Sequence, residues 1–118
     1  MGIMSSCTKS NEDLIVGKWE LVTIENDGTI YGREAQDLTD FWRFTADGTW
    51  IMYYKEERDQ GNYKINGDKL FLYEDGYYSE LHILELSESK MILNNCIIYV
   101  DDEIDRSYEN CIITFKKV

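Results

Sequence analysis

The chain contains no proline. No strand in it therefore loses a ladder donor to a pyrrolidine ring. It has one histidine, His82, and three cysteines, Cys7, Cys96 and Cys111, at spacings that match no zinc signature. Positive charge is scarce: Lys and Arg total 12 against 23 Asp and Glu, for a formal net charge of −11. A surface that acidic repels phosphate backbones and anionic membrane surfaces, so nucleic acid is excluded as a partner. No apolar run reaches the roughly 20 residues a membrane-spanning helix needs. No nucleophile motif, phosphate-binding loop or defined calcium loop occurs, and the carboxylates gather in loops rather than in apolar strand contexts that would raise their pKa. No catalytic residue, metal or cofactor is assigned, and a non-enzymatic protein is expected.

What the chain does have is aromatic mass and alternation. Its 118 residues are 43% hydrophobic and 14% aromatic, enough for one domain with a single core. Strand patterns run over Gly17–Glu25, Phe41–Thr45, Thr49–Lys55, Gly61–Ile65, Lys69–Tyr73, Tyr77–Leu86, Lys90–Val100 and Tyr108–Lys117. Turn dipeptides separate them: Asp27-Gly28, Asp47-Gly48, Asn66-Gly67 and Asp75-Gly76. Lys55–Gln60 reads as a charged turn, Gly32–Leu38 as a helical turn or lid-like loop, and Asp101–Arg106 as an acidic loop. No segment of helical length carries an apolar stripe of period 3.6. The expectation is all-β: eight antiparallel strands in an up-and-down meander that closes into a barrel, with no long helix.

Four segments in order give the reading a family: Gly17-Lys18-Trp19, then Phe44 to Thr49 (FTADGT), then Gly61 to Leu70 (GNYKINGDKL), then Ile113 to Lys117 (ITFKK). Together they resemble the bacterial lipocalin-like domain of small surface and periplasmic lipoproteins, over residues 13–118. The resemblance implies that Gly17 and Trp19 open the first strand in structural roles. Trp19 would pack at the closed end beneath a cation from the last strand, Lys116 or Lys117. It also implies a cavity. The candidate lining is Trp42, Phe44, Trp50, Met52, Tyr54, Tyr63 and Tyr73. These rings either line a pocket for a small hydrophobic molecule or simply fill the barrel, since eight strands enclose just enough room for side chains or one small ligand. The first alternative makes the protein a passive binding module. The second makes it an interaction or inhibitor barrel acting through its loops.

Two cysteines sit on the last two strand patterns. With the connecting loop centred between Glu103 and Ile104, Cys96 and Cys111 lie opposite each other. They would form a disulfide or stand as two buried thiols. His82 shares a strand face with Glu80 and Tyr78, a poor metal set that reads as solvent-facing. Residues 1–12 read as a flexible tail. Ile3-Met4-Ser5-Ser6-Cys7 resembles the end of a lipoprotein signal, which makes Cys7 a lipidation site and Thr8–Glu12 a tether. The same stretch also fits an N-myristoylation pattern with Cys7 as a palmitoyl site, or a plain terminus with a free thiol. The lipoprotein alternative places a monomer at the cell envelope, periplasmic or surface-exposed, touching the membrane only through its anchor, with the natural start upstream.

Overall fold

A nine-stranded antiparallel sheet makes up the molecule. The computed structural model describes residues 9–32, 41–54 and 57–118. A short helix α1 (Asn11–Ile15) precedes β1 (Gly17–Asn26), β2 (Thr29–Gly32), β3 (Phe41–Phe44), β4 (Thr49–Tyr54) and β5 (Glu57–Asn66). The remaining strands are β6 (Lys69–Glu74), β7 (Tyr77–Leu86), β8 (Lys90–Val100) and β9 (Glu103–Lys117). From β3 to β9 each strand pairs with the next. One edge of β1 carries β3 along Gly17–Glu20 and β2 along Thr23–Asn26. Its other edge carries β9 from Trp19 to Asn26. That last pairing closes β1 and β3–β9 into an eight-stranded up-and-down barrel, as expected.

Three boundaries differ from the sequence reading. β2 is a ninth, short strand, folded onto β1 by the Asp27-Gly28 turn, whose φ values of 50° and 83° meet the type I′ requirement. Of the expected loop Gly32–Leu38, Gly32 ends β2 and residues 33–38 lie outside the described residues. β5 starts at Glu57, so Glu57–Gln60 pairs with β4 instead of forming a turn. β9 starts at Glu103, because Asp101 and Asp102, at φ 53° and 62°, turn the chain within two residues. Short polar side chains tolerate this conformation, so the acidic stretch continues as strand.

The core lies inside the barrel. Trp19, Leu21, Phe44, Trp50, Leu70, Leu72, Leu81, Ile83, Met91, Leu93 and Phe115 are buried there, with Ile15 of α1 beneath them. The two-residue alternation of β6–β9 sets this face. In β1 the alternation slips: a register shift between Leu21 and Thr23 turns Ile24, not Thr23, onto the core.

Candidate functional site

The closed end is sealed by α1. Ser10 caps it, its hydroxyl accepting from the Asp13 N–H at 3.2 Å. One turn later Ile15 is fully buried under the barrel. The indole N–H of Trp19 donates to the Ile15 carbonyl at 2.8 Å. Lys117 lies with its Nζ 5.2 Å from the Trp19 ring centroid and donates to the Leu14 carbonyl at 3.1 Å. These contacts satisfy carbonyls that a short helix leaves without partners. Of the two candidate lysines, Lys117 takes the place over Trp19, and Lys116 faces Glu20 on the outside at 3.6 Å. Gly17 makes this possible: its φ is +138°, and a Cβ there would stand 2.6 Å from Lys117 Cε. Position 17 favours glycine chiefly through this backbone conformation, since the lysine end could shift to relieve the contact.

Above this seal the interior divides in two. The floor is dry: Phe44, Trp50, Leu70, Met91, Leu93 and Phe115 are each at most 3% exposed. The wall nearer the open end holds Ile24, Trp42, Met52, Cys96 and Ile113, which pack on the core yet stay only partly buried. Trp42 bridges the two zones. Its ring lies 4.8 Å from Phe115 and 5.8 Å from Trp50, the latter edge-on at 83°. Tyr63 faces inward at the closed end, edge-on to Phe44 at 5.0 Å, with its hydroxyl donating to the Thr45 carbonyl at 2.6 Å. Burial, and then the nearby Asp47 and Glu12 charges, push its pKa up. A groove of about 390 Å³ between α1 and Gly48, Tyr63 and Ile65 lies outside the barrel, against the seal.

Of the seven lining candidates, Trp42, Phe44, Trp50, Met52 and Tyr63 point inward. Tyr54 belongs to β4, and its side chain lies outside the described residues, as does Cys7. Tyr73 faces away from the barrel interior. Leu70 and Leu72 take the inward phase of β6, so Phe71 and Tyr73 face out. There Tyr73, Tyr78 and Tyr99 are direct cross-strand neighbours, with centroids 5.5 and 4.8 Å apart. Ile24 and Ile113 were missed as wall residues. For Ile24 the β1 bulge hid the phase; for Ile113 the alternation with Phe115 was a readable signal.

The cysteines need a correction. Cys96 pairs with Tyr108, and Cys111 with Asn26 of β1. The tight Asp101-Asp102 turn moves the hairpin register, and bulges with Asn95 at φ 53° and Asn110 at φ 57° return only part of the shift. Both are free thiols. Burial, then the neighbouring Cys111, pushes the Cys96 pKa up from 9.0 to about 11, against a hydrogen bond with Ser79. This thiol is a weak nucleophile at neutral pH. His82 Nε2 stands 3.9 Å from Glu80, and among the described residues no group of three His, Cys, Asp or Glu could hold a metal. At the open rim, a hydrogen bond with Glu74 raises the Tyr77 pKa to about 12. The site's chemistry is apolar contact.

Comparison with known proteins agrees with this architecture. The profile of the lipocalin-like domain family matches residues 15–93, from the Ile15 seal into β8. The crystal structure of a lipocalin-like protein from Bacteroides uniformis superposes with a TM-score of 0.65 at 19% identity, covering 88% of this chain and 98% of that one. An uncharacterized protein from Bacteroides eggerthii gives 0.66 at 19% identity, covering 88% and 99%. Pallilysin from Treponema pallidum gives 0.57 at 6% identity, covering 99% and 86%. At such identities the likeness is one of fold. Curated protein sequences give no significant match.

Proposed function

The chain belongs to the lipocalin-like domain family, and from that premise we propose that it is a non-enzymatic binding module holding a small apolar molecule in the open half of its barrel. One observation carries this reading. The inward-facing apolar side chains Ile24, Trp42, Met52 and Ile113 stay partly exposed above a floor that is fully closed. A barrel filled for stability alone gains by burying such side chains, at about 25 cal/mol per Å² of apolar surface. A cup left apolar and open gains that energy when a ligand enters. Acidic loops around it keep the barrel soluble.

N-phenyl-1-naphthylamine, an uncharged apolar fluorophore, tests the reading. It should bind one-to-one with a Kd on the order of 10–100 μM, the range expected of a ligand this size, and quench tryptophan emission. Met52→Asp should abolish binding. Absence of saturable binding would remove the carrier reading. A surface-acting barrel would then lead, supported by the outward row of Tyr73, Tyr78 and Tyr99. Attachment to the cell envelope through a lipid on Cys7 is part of the same proposal and rests on the Ile3–Cys7 pattern. Labelling with an alkyne fatty acid in the native host should mark the protein, and Cys7→Ala should lose the label.

A further inference from the structure

Trp50 is 3% exposed, yet its indole N–H has no hydrogen-bond partner among the described residues. The indole is a donor only, and a buried donor without an acceptor is unfavourable and rare in folded proteins. Trp19 shows the usual arrangement in the same core, its N–H donating to Ile15 at 2.8 Å. The side chains set directly against Trp50 among the described residues carry no oxygen acceptor. Phe44 faces it from β3, Gly61 from β5, and Trp42 packs on it edge-on. Met52 follows two residues on, on the same face of β4 and about 7 Å nearer the open end. A phenylalanine at position 50 would fill most of this space and leave nothing unpaired. Trp50 thus stands at the boundary of the two zones, beside Phe44, which is 1% exposed, and against Trp42, which is only partly buried.

We propose that the molecule held in the cup carries an oxygen acceptor, which takes the Trp50 N–H. This rests on the reading of the cup as a binding site and narrows its ligand class. The wall residues Ile24, Trp42, Met52, Cys96 and Ile113 bring no cation, and the protein carries a net charge of −11. A carboxylate would enter without a counter-charge. The class is an uncharged, mainly apolar molecule with one carbonyl or hydroxyl oxygen at its inner end. Pairing that oxygen replaces a buried orphan with a dry hydrogen bond, which selects against a plain hydrocarbon of the same shape.

Two fluorescent probes separate the possibilities: 6-propionyl-2-(dimethylamino)naphthalene, which has a ketone, and 2-(dimethylamino)naphthalene, which does not. Trp50→Phe keeps a ring and removes the donor. It should weaken binding of the ketone probe about 5–10-fold and that of the other probe less than about twofold. In the wild-type protein, the ¹⁵N-resolved indole N–H resonance of Trp50 should move downfield with the ketone probe only, a readout that stands even where the variant fails to fold. Binding of both probes with an unmoved Trp50 N–H and equal effects of Trp50→Phe would overturn this inference and leave the cup reading intact. Binding of neither probe would overturn the cup reading, and this inference with it.

Discussion

Replacing Trp19 probes the seal that α1 and Lys117 make at the end of the barrel where β1 begins. Trp19 is fully buried, donates to Ile15 at 2.8 Å and lies under Lys117. Trp19→Ala removes the whole ring and should cost about 3–5 kcal/mol, the range for deleting a buried aromatic. Trp19→Phe keeps most of the packing and an aromatic face under Lys117 but strands the Ile15 carbonyl, so about 1–3 kcal/mol is expected. A domain with about 5–15 kcal/mol in total would survive both, the alanine variant narrowly. Urea unfolding followed by far-UV circular dichroism, with the m-value held in common, measures the two losses. If Trp19→Ala cost less than about 1 kcal/mol, Trp19 would not be a closed-end anchor. If Trp19→Phe cost as much as Trp19→Ala, the hydrogen bond, not the ring's volume, would carry the seal.

Gly61 sits opposite Trp50, where a Cβ would stand 1.9 Å from the Tyr73 carbonyl oxygen. Because that neighbour is backbone, Gly61→Ala should cost about 3 kcal/mol or more, and a melting temperature within a degree of wild type would refute the close approach. Cys96 supplies a pH dependence. Its thiolate is disfavoured by burial and its folded pKa is raised from 9.0 to about 11. The stability it contributes is therefore complete below about pH 9 and lost as pH rises toward 11. The stability difference between wild type and Cys96→Ala, measured by urea unfolding from pH 8 to 11, should shrink with pH; a flat difference would contradict the burial of this thiol.

Much of the barrel was legible because local signals agreed. Alternation in Leu70/Leu72, Leu81/Ile83 and Met91/Leu93, with Asx-Gly turns between strands, specifies a meander whatever the ligand. The closed end was legible through Gly17 and Trp19, although α1 was not: five residues carry too little periodicity, and its stability comes from burying Ile15. Two of the failures are failures of register. Bulges in β1, β8 and β9 shift register by one or two residues, and no residue type announces them in advance; Asn95 and Asn110 adopt left-handed backbone that Asn merely tolerates. Hence Ile24 replaced Thr23 on the inner face, while the tight Asp101-Asp102 turn, only partly offset by the later bulges, took Cys96 away from Cys111. Tyr73 failed differently. An aromatic in a strand fits either face, and the outer row with Tyr78 and Tyr99 buries its ring about as well as a cavity would.

The site we propose is the inner wall of the barrel, not its outer surface. Methyl-resolved NMR during titration with N-phenyl-1-naphthylamine tests it most directly. The account predicts saturable shifts of the Met52, Ile24 and Ile113 methyl resonances with one shared Kd, while those of the outward-facing Leu84 and Ile104 stay fixed. Shifts confined to Leu84 and Ile104, or inner methyls unmoved at saturating probe, would contradict it.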